Sequence, residues 1–225
     1  MRSRPRPRVK KSPCRRDAVI NARDARAPQA EDGGPCSATT RVRHSGVSTD
    51  STNEILTYWL IPAEPARSYF RSLINDLAQR FDAPVFEPHV TLYVTEPGNE
   101  NPADVLRERF RDIKPLPLSI TAINYSEEFT KTLFVEFRPD VLLSSLNEKL
   151  RAGSASQPEY QLNPHLSLIY KTMSRETKKE LANSLRLPFD EVRFDSAKAV
   201  ISPARIESRA DIDAWRVVAG ENFAG

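Results

Sequence analysis

Two five-residue segments with the same wording constrain this chain more than any other feature. Pro88-His89-Val90-Thr91-Leu92 and Pro164-His165-Leu166-Ser167-Leu168 both read proline, histidine, aliphatic, hydroxyl, aliphatic. Each alternates polar and apolar side chains over a short run, which predicts a strand. Successive strand side chains point to opposite faces. His89 and Thr91 therefore share one face and Val90 and Leu92 the other. His165 and Ser167 stand in the same way against Leu166 and Leu168. A fold that buries both aliphatic pairs must present both imidazole–hydroxyl pairs on the far side of them.

The surroundings of the two segments are also alike. Ile55–Ile61 reads as a strand closed by Pro62. Pro65 stands where a first helical turn tolerates it, and Tyr69, Phe70, Leu73, Ile74, Leu77 and Phe81 follow at helical spacing. After the first histidine strand come a charged helix over Ala103–Ile113 and a strand pair, Leu116–Tyr125 and Leu133–Phe137. A helix over Val141–Leu150 and a polar loop over Gln157–Asn163 lead to the second histidine strand. A helix over Arg175–Leu187 and strands over Val192–Ile201 and Trp215–Val218 complete the chain, with Asp211–Asp213 as a turn. The order helix, histidine strand, helix, strand pair is thus written twice. It predicts two similar α+β lobes around one cleft, with antiparallel hairpins rather than a parallel doubly wound sheet.

The front of the chain is different in kind. Residues 1–53 contain no Phe, Trp or Tyr, and carry twelve Arg or Lys against five Asp or Glu. Such a stretch buries too little to offset its ordering entropy, so a disordered basic tail is expected over 1–53 and a folded domain over 54–225. The remaining 21 basic and 25 acidic residues leave the domain mildly acidic. The overall basic balance therefore belongs to the tail and is not the mark of a nucleic-acid-binding fold. For the tail itself several readings stay open: weak attachment to RNA, DNA or an acidic membrane, an unstructured extension, a start placed too far upstream, or a transit peptide. Asp17, Asp24, Glu31 and Asp32 argue against the last.

Both cysteines, Cys14 and Cys36, fall in that tail. The domain thus has no disulfide framework, no cysteine-based zinc site and no cysteine nucleophile. No apolar run reaches the roughly 18–20 residues of a membrane span. The seven glycines, three of them in the tail, leave little material for a glycine-rich phosphate loop. A soluble, cytoplasmic, monomeric protein is the default expectation.

Two imidazoles on facing strands suit acid–base chemistry near neutral pH, where histidine titrates unaided. One deprotonates an attacking water and the other protonates a departing oxygen. The neighbouring Thr91 and Ser167 hydroxyls donate to non-bridging phosphate oxygens. A strained cyclic phosphodiester opens this way without a metal. A two-histidine metal site is the alternative, but no third ligand with suitable spacing is evident.

These residues resemble the 2H phosphoesterase superfamily, whose members carry paired HxTx and HxSx motifs, and within it the cyclic phosphodiesterase-like branch. Tyr58-Trp59-Leu60-Ile61-Pro62 is similar to that branch's first strand. Pro84-Val85-Phe86-Glu87-Pro88-His89-Val90-Thr91 resembles its P-x-F-x-P-H-V-T segment, Pro164–Tyr170 its P-H-L-S-L-L-Y segment, and Trp215-Arg216-Val217-Val218 its closing strand. The resemblance spans about 55–220 and implies a bilobal, duplicated α+β fold with two antiparallel sheets flanking a central cleft and helices outside. It implies metal-independent hydrolysis of nucleoside 2′,3′-cyclic phosphates or ADP-ribose 1″,2″-cyclic phosphate. His89 and His165 become the catalytic pair, Thr91, Ser167 and Tyr170 phosphate ligands, and Trp59 a substrate contact. No cofactor and no metal are implied. By strict alternation Tyr170 has the parity of Leu166 and Leu168, so it reaches the cleft only if the strand ends or twists there. Trp59 shares parity with Ile55, Thr57 and Ile61 and suits the core equally well. Tyr125 and Phe129 fall in the connection where relatives carry cleft-lining residues. Family analogy makes His165 the base and His89 the acid.

Two other functions compete. Relatives similar to RNA 2′,3′-cyclic phosphodiesterases, once named 2′-5′ RNA ligases, act on RNA ends and add basic residues around the cleft. Arg107, Arg109, Arg111 and Lys114 are candidates for that, though they read as a solvated helix face. A non-catalytic RNA- or nucleotide-binding module is the third reading, disfavoured because a binder needs neither imidazole. The domain's mild negative charge favours a small nucleotide over long RNA.

Overall fold

A computed structural model describes residues 54–154 and 160–224. The expected tail over 1–53 and part of the polar loop before His165 lie outside the described residues. Seven strands and five α-helices follow in the order β1 (Glu54–Pro62), α1 (Ala66–Phe81), β2 (Val90–Thr95), α2 (Pro102–Phe110), β3 (Leu116–Tyr125), β4 (Leu133–Phe137), α3 (Val141–Ala152), β5 (His165–Ile169), α4 (Arg175–Ser184), β6 (Glu191–Pro203), α5 (Arg209–Asp213) and β7 (Arg216–Asn222). A 3₁₀ turn, Phe129–Lys131, interrupts the β3–β4 hairpin.

The helices start where polar side chains take up free backbone amides. Asn101 accepts from the Ala103 amide with Pro102 at the first helical position, Asp140 accepts from Leu143, and Ser174 from Thr177. α1 ends at Asp82, whose φ of 48° is the left-handed conformation of a helix stop. Asp211–Asp213, expected as a turn, belongs to the short helix α5. The Ser208 hydroxyl and the Asp211 carboxylate cap each other's backbone amides there. That reciprocal capping box outweighs the turn preference of the aspartates.

Every strand pairing is antiparallel, in the order β1-β2-β5-β4-β3-β6-β7, with a further ladder between β1 and β6. β1, β2, β6 and β7 carry α2 and α3, whereas β3, β4 and β5 carry α1 and α4. These are the two lobes, but they are not the two halves of the sequence. Each of these four helices packs chiefly on strands contributed by the other half, whereas the short α5 lies on β6 of its own half. Nor are the two sheets separate. The thirteen-residue β6 pairs with β3 through Glu191–Phe194 and with β1 beyond that, and Val90 bridges to Leu166. The ladders thus join the lobes into one seven-stranded sheet.

The helix-covered face holds the main core. Leu60, Val90, Leu92, Leu166, Leu168 and Val135 from the strands meet Phe70, Leu77, Leu106, Phe110, Leu143 and Leu146 from the helices, all buried. Burying these side chains at roughly 1.5–3 kcal/mol each is what commits the strands to their facing. The histidine strands obey the alternation expected of them: their aliphatic residues face the helices and their polar residues the opposite, open side.

Candidate active site

The Val90–Leu166 bridge lies at the centre of the site. In an antiparallel pair, moving one residue back on one strand matches one residue forward on the other. His89 therefore lies across from Ser167, and Thr91 from His165. All four side chains share the face away from Val90 and Leu166. β1 extends one row, with Trp59 opposite Thr91 and Lys198 beyond it, and β4 extends the other way, with Glu136 opposite His165 and Phe134 opposite Ser167. One cavity gathers His89, Thr91, His165, Ser167 and Tyr170 together with Thr130 and Tyr160.

Both imidazoles are held in the same way. The Nδ1 of His89 lies 2.7 Å from the Glu87 carbonyl, and that of His165 lies 2.7 Å from the Asn163 carbonyl. In each case the carbonyl belongs to the residue before the proline. Proline's fixed φ turns the chain so that this oxygen meets the ring. A carbonyl only accepts, so Nδ1 carries the proton of the neutral ring and Nε2 is left bare towards the cavity.

The two environments differ. His89 is buried, with its ring stacked on Trp59 at 3.8 Å and 13° and edge-on to Trp215 at 5.8 Å. Burial lowers its pKa from 6.5 to about 4. His165 lowers it further, while the Glu87 backbone and charge pull it back. His165 is half-buried. Burial again lowers its pKa, and the Lys131 ammonium acts in the same direction, against Glu128 and Glu136. Both rings therefore favour the neutral form at neutral pH. His165 opposes a charge on His89, so the two rings share one electrostatic neighbourhood.

The hydroxyls are also unequal. Ser167 Oγ donates to the Thr130 carbonyl at 2.8 Å, whereas the Thr91 side chain has no hydrogen-bond partner among the described residues. Burial pushes the Tyr170 phenol well above its ordinary value, partly offset by Ser167, so it stays a proton donor. The Tyr160 phenol, pushed up to about 12 by burial, donates to the Thr91 carbonyl at 3.2 Å.

Tyr170 lines the cavity because β5 ends at Ile169, and strand parity does not bind the residue after it. It stacks on Phe86 at 4.0 Å. Trp59 lies on the open face but does not line the cavity. At 4 % exposure, with His89 against one face and Trp215 at 5.1 Å, it has little surface left for a substrate contact. Phe129 packs against Tyr170 at 6.2 Å, and the cavity is lined by its neighbour Thr130. Tyr125 faces a different depression, with Arg175, Glu176 and Lys179. Thr130, Tyr160 and Trp215 were not singled out from sequence as site residues. No local pattern marks Thr130 or Tyr160, and the pattern around Trp215 marks only the closing strand, since each reaches the site through tertiary packing. A narrower cavity between Tyr58, Tyr93 and Leu150 holds no imidazole. Among the described residues, no group of three His, Cys, Asp or Glu side chains is placed to hold a metal ion. No helix among them is long and apolar enough to cross a membrane.

The model of a family described as cyclic phosphodiesterase-like protein matches residues 55–222. The chain belongs to that family. It is thereby a 2H phosphoesterase, in a family of phosphodiester hydrolases. A protein of Arabidopsis thaliana named cyclic phosphodiesterase is 24 % identical over 176 residues, covering 74 % of this chain and 93 % of its own. A protein of Bacillus licheniformis named putative phosphoesterase is 25 % identical over 154 residues, covering 65 % and 88 %. Among solved structures, E. coli LigT complexed with 3′-AMP superposes with a TM-score of 0.50 at 13 % identity, over 76 % of this chain and 99 % of that one. A protein of Thermus thermophilus gives 0.50 at 15 % identity, over 75 % and 97 %. The last two likenesses concern the fold.

Proposed function

We propose that residues 54–225 hydrolyse a small cyclic phosphodiester, a nucleoside 2′,3′-cyclic phosphate or ADP-ribose 1″,2″-cyclic phosphate, to a phosphomonoester, with His89 and His165 as the acid–base pair and no metal. The observation that carries this reading is the matched pinning of both rings. Each Nδ1 is committed to a carbonyl, each Nε2 is left to one cavity, and the register sets a hydroxyl opposite each ring.

In this scheme the phosphate occupies the space between the rings. Thr91, Ser167 and Tyr170 donate to its non-bridging oxygens. His165, kept neutral by burial and Lys131, takes a proton from water through Nε2. The resulting hydroxide attacks phosphorus. The bond from phosphorus to one ring oxygen breaks, and His89 delivers a proton to that oxygen. Burial makes His89 resist protonation on its own, so in this scheme its ring takes up a proton from solvent as the substrate anion binds. A phosphodiester anion beside the ring stabilises the imidazolium that burial disfavours. Trp59 acts from behind, flat against the His89 ring, by fixing its plane.

The cavity holds about 200 Å³, below the roughly 300–1,000 Å³ of pockets that enclose a whole drug-sized ligand, so it suits the cyclic phosphate and its sugar while the rest of a nucleotide lies outside it. Arg107, Arg109, Arg111 and Lys114, the basic residues considered for RNA, do not line it. The names of the relatives from Arabidopsis and Bacillus agree with phosphodiester chemistry.

The test offers the purified chain, with EDTA present, nucleoside 2′,3′-cyclic phosphates, ADP-ribose cyclic phosphate and an oligoribonucleotide ending in a cyclic phosphate. Turnover of the small molecules is expected. His89→Ala and His165→Ala are each expected to lower kcat by about 10²–10⁴-fold with folding retained. Full activity in either variant refutes the assignment, and turnover of the oligoribonucleotide alone moves the substrate to RNA ends.

A further inference from the structure

The sequence repeat is broken at one position that matters. Glu87 and Asn163 occupy equivalent places, each two residues before a histidine and each supplying the carbonyl for its Nδ1. Asn163 is exposed, and its side chain has no hydrogen bond among the described residues. Glu87 is clamped. Its Oε1 accepts from the Arg67 guanidinium of α1 at 2.6 Å and its Oε2 from the Lys198 ammonium of β6 at 2.6 Å. Its side chain is only 20 % exposed. Burial pushes the Glu87 carboxyl up, but the hydrogen bonds from Lys198 and Arg67 outweigh this and hold it below the usual range.

We infer that the Arg67–Glu87–Lys198 cluster is a positioning and charge-setting device for His89, which gives the two imidazoles different roles. The inference rests on the proposed hydrolysis and deepens it.

Two links carry it. The first is mechanical. The Glu87 carbonyl and carboxylate belong to one residue, so a side chain fixed at both oxygens, from a helix and from a strand, also fixes the oxygen that orients His89. His165 has no such clamp among the described residues. The second link is electrostatic. The charged and titratable groups around His89 are Glu87 on its own segment, Arg67 on α1, Lys198 on β6, and His165 and Tyr170 from β5 and its end. Trp59, Phe86 and Trp215 fill the remaining sides with apolar rings. Glu87 is the single anion in this set. Its charge favours the imidazolium, and the two cations keep that carboxylate ionised and in place. A ring held in one plane, with an anion behind it, suits proton delivery to a leaving oxygen. His165 is less constrained, and Lys131, which opposes a charge on it, is countered by Glu128 and Glu136. The cluster thus separates the two rings by how firmly each is oriented, and a fixed orientation is what proton delivery to a leaving oxygen needs.

The direct readout is the His89 imidazole in long-range ¹H–¹⁵N correlation spectra of the full chain, titrated in the parent, Glu87→Gln and Lys198→Met. Glu87→Gln removes the anion and leaves both cations, so the His89 titration is expected to move to lower pH by about one unit. Lys198→Met removes a cation and is expected to move it to higher pH by a similar amount. Lys198→Arg is expected to restore the parental curve. The alkaline limb of kcat against pH for a cyclic nucleotide, which reports loss of the acid's proton, is expected to follow with the same signs. A cluster that only braced the fold would change melting temperature and leave the curves in place. Superimposable His89 titrations, or shifts of the same sign in both variants, overturn the inference. If Glu87→Gln fails to fold, the Lys198→Met and Lys198→Arg pair decides alone. Activity surviving in His89→Ala defeats the proposed hydrolysis instead, and the spectra separate that outcome from this one.

Discussion

Replacing His89 with glutamine should make the protein less sensitive to acid. The unfolded imidazole titrates at 6.5, and burial lowers it to about 4 in the folded domain. Between those values the unfolded state binds a proton that the folded state refuses. Stability is therefore fully present above pH 6.5 and is lost as the pH falls towards 4. At about 1.4 kcal/mol for each tenfold difference in proton affinity, this one ring accounts for roughly 2–3 kcal/mol lost between pH 7 and pH 4.5. That is a large share of the roughly 5–15 kcal/mol that holds an ordinary domain together. The assay is urea unfolding of the parent and His89→Gln at several pH values across this window. The variant carries its own cost at pH 7, so the quantity to compare is the slope. The parental curve should fall more steeply by up to about one proton. His165, lowered in the same direction, adds to the fall in both proteins and cancels. Parallel curves would refute the reasoning, because they would mean that His89 takes up its proton as readily in the fold as in solution. Inorganic phosphate should also flatten the parental slope, since an anion between the rings removes part of the penalty.

Three further outcomes follow from the geometry. Thr91→Val keeps volume and removes the hydroxyl that has no protein partner among the described residues, so it should lower kcat/KM for a cyclic nucleotide by about 10²-fold. Ser167→Ala should cost less, because that hydroxyl must first leave the Thr130 carbonyl; steady-state kinetics on both variants at one pH decides the order. Leu166→Ala removes the fully buried side chain behind the bridge to Val90 and should lower unfolding free energy by about 2–5 kcal/mol, measured by chemical denaturation.

The parts of the fold that rest on local pattern were legible in the sequence. The histidine strands were readable because a period of two leaves only one way to bury Val90, Leu92, Leu166 and Leu168. The helices were readable because Phe70, Ile74 and Leu77 recur at helical spacing. The α5 turn of helix was missed although Ser208 and Asp211 carry a capping signal, because the Asp-Ile-Asp run resembles a turn. Tyr170 could be placed only by knowing where β5 stops, and strand ends are set by what the neighbouring strand offers. Two things had no local trace at all. One is the register that sets His89 across from Ser167, which depends on how distant strands meet. The other is the Glu87 clamp, whose members lie on a helix, a loop and a strand far apart in the chain. The assignment of elements to lobes was hidden for the same reason, since a repeat in sequence order does not reveal which copy covers which.

That exchange of covering elements has a consequence for the origin and dissection of the molecule. α1 shields the histidine strand of the later copy and α3 that of the earlier one. A lone half would have its helices attached to strands they do not cover, and its single imidazole would face solvent with no counterpart. An ancestor of half the length would have needed to embrace a twin, trading helices with it, before fusion made the embrace permanent. The present chain, severed in the exposed connection at Arg138 and Pro139, should yield two fragments that are inert apart and competent only when mixed.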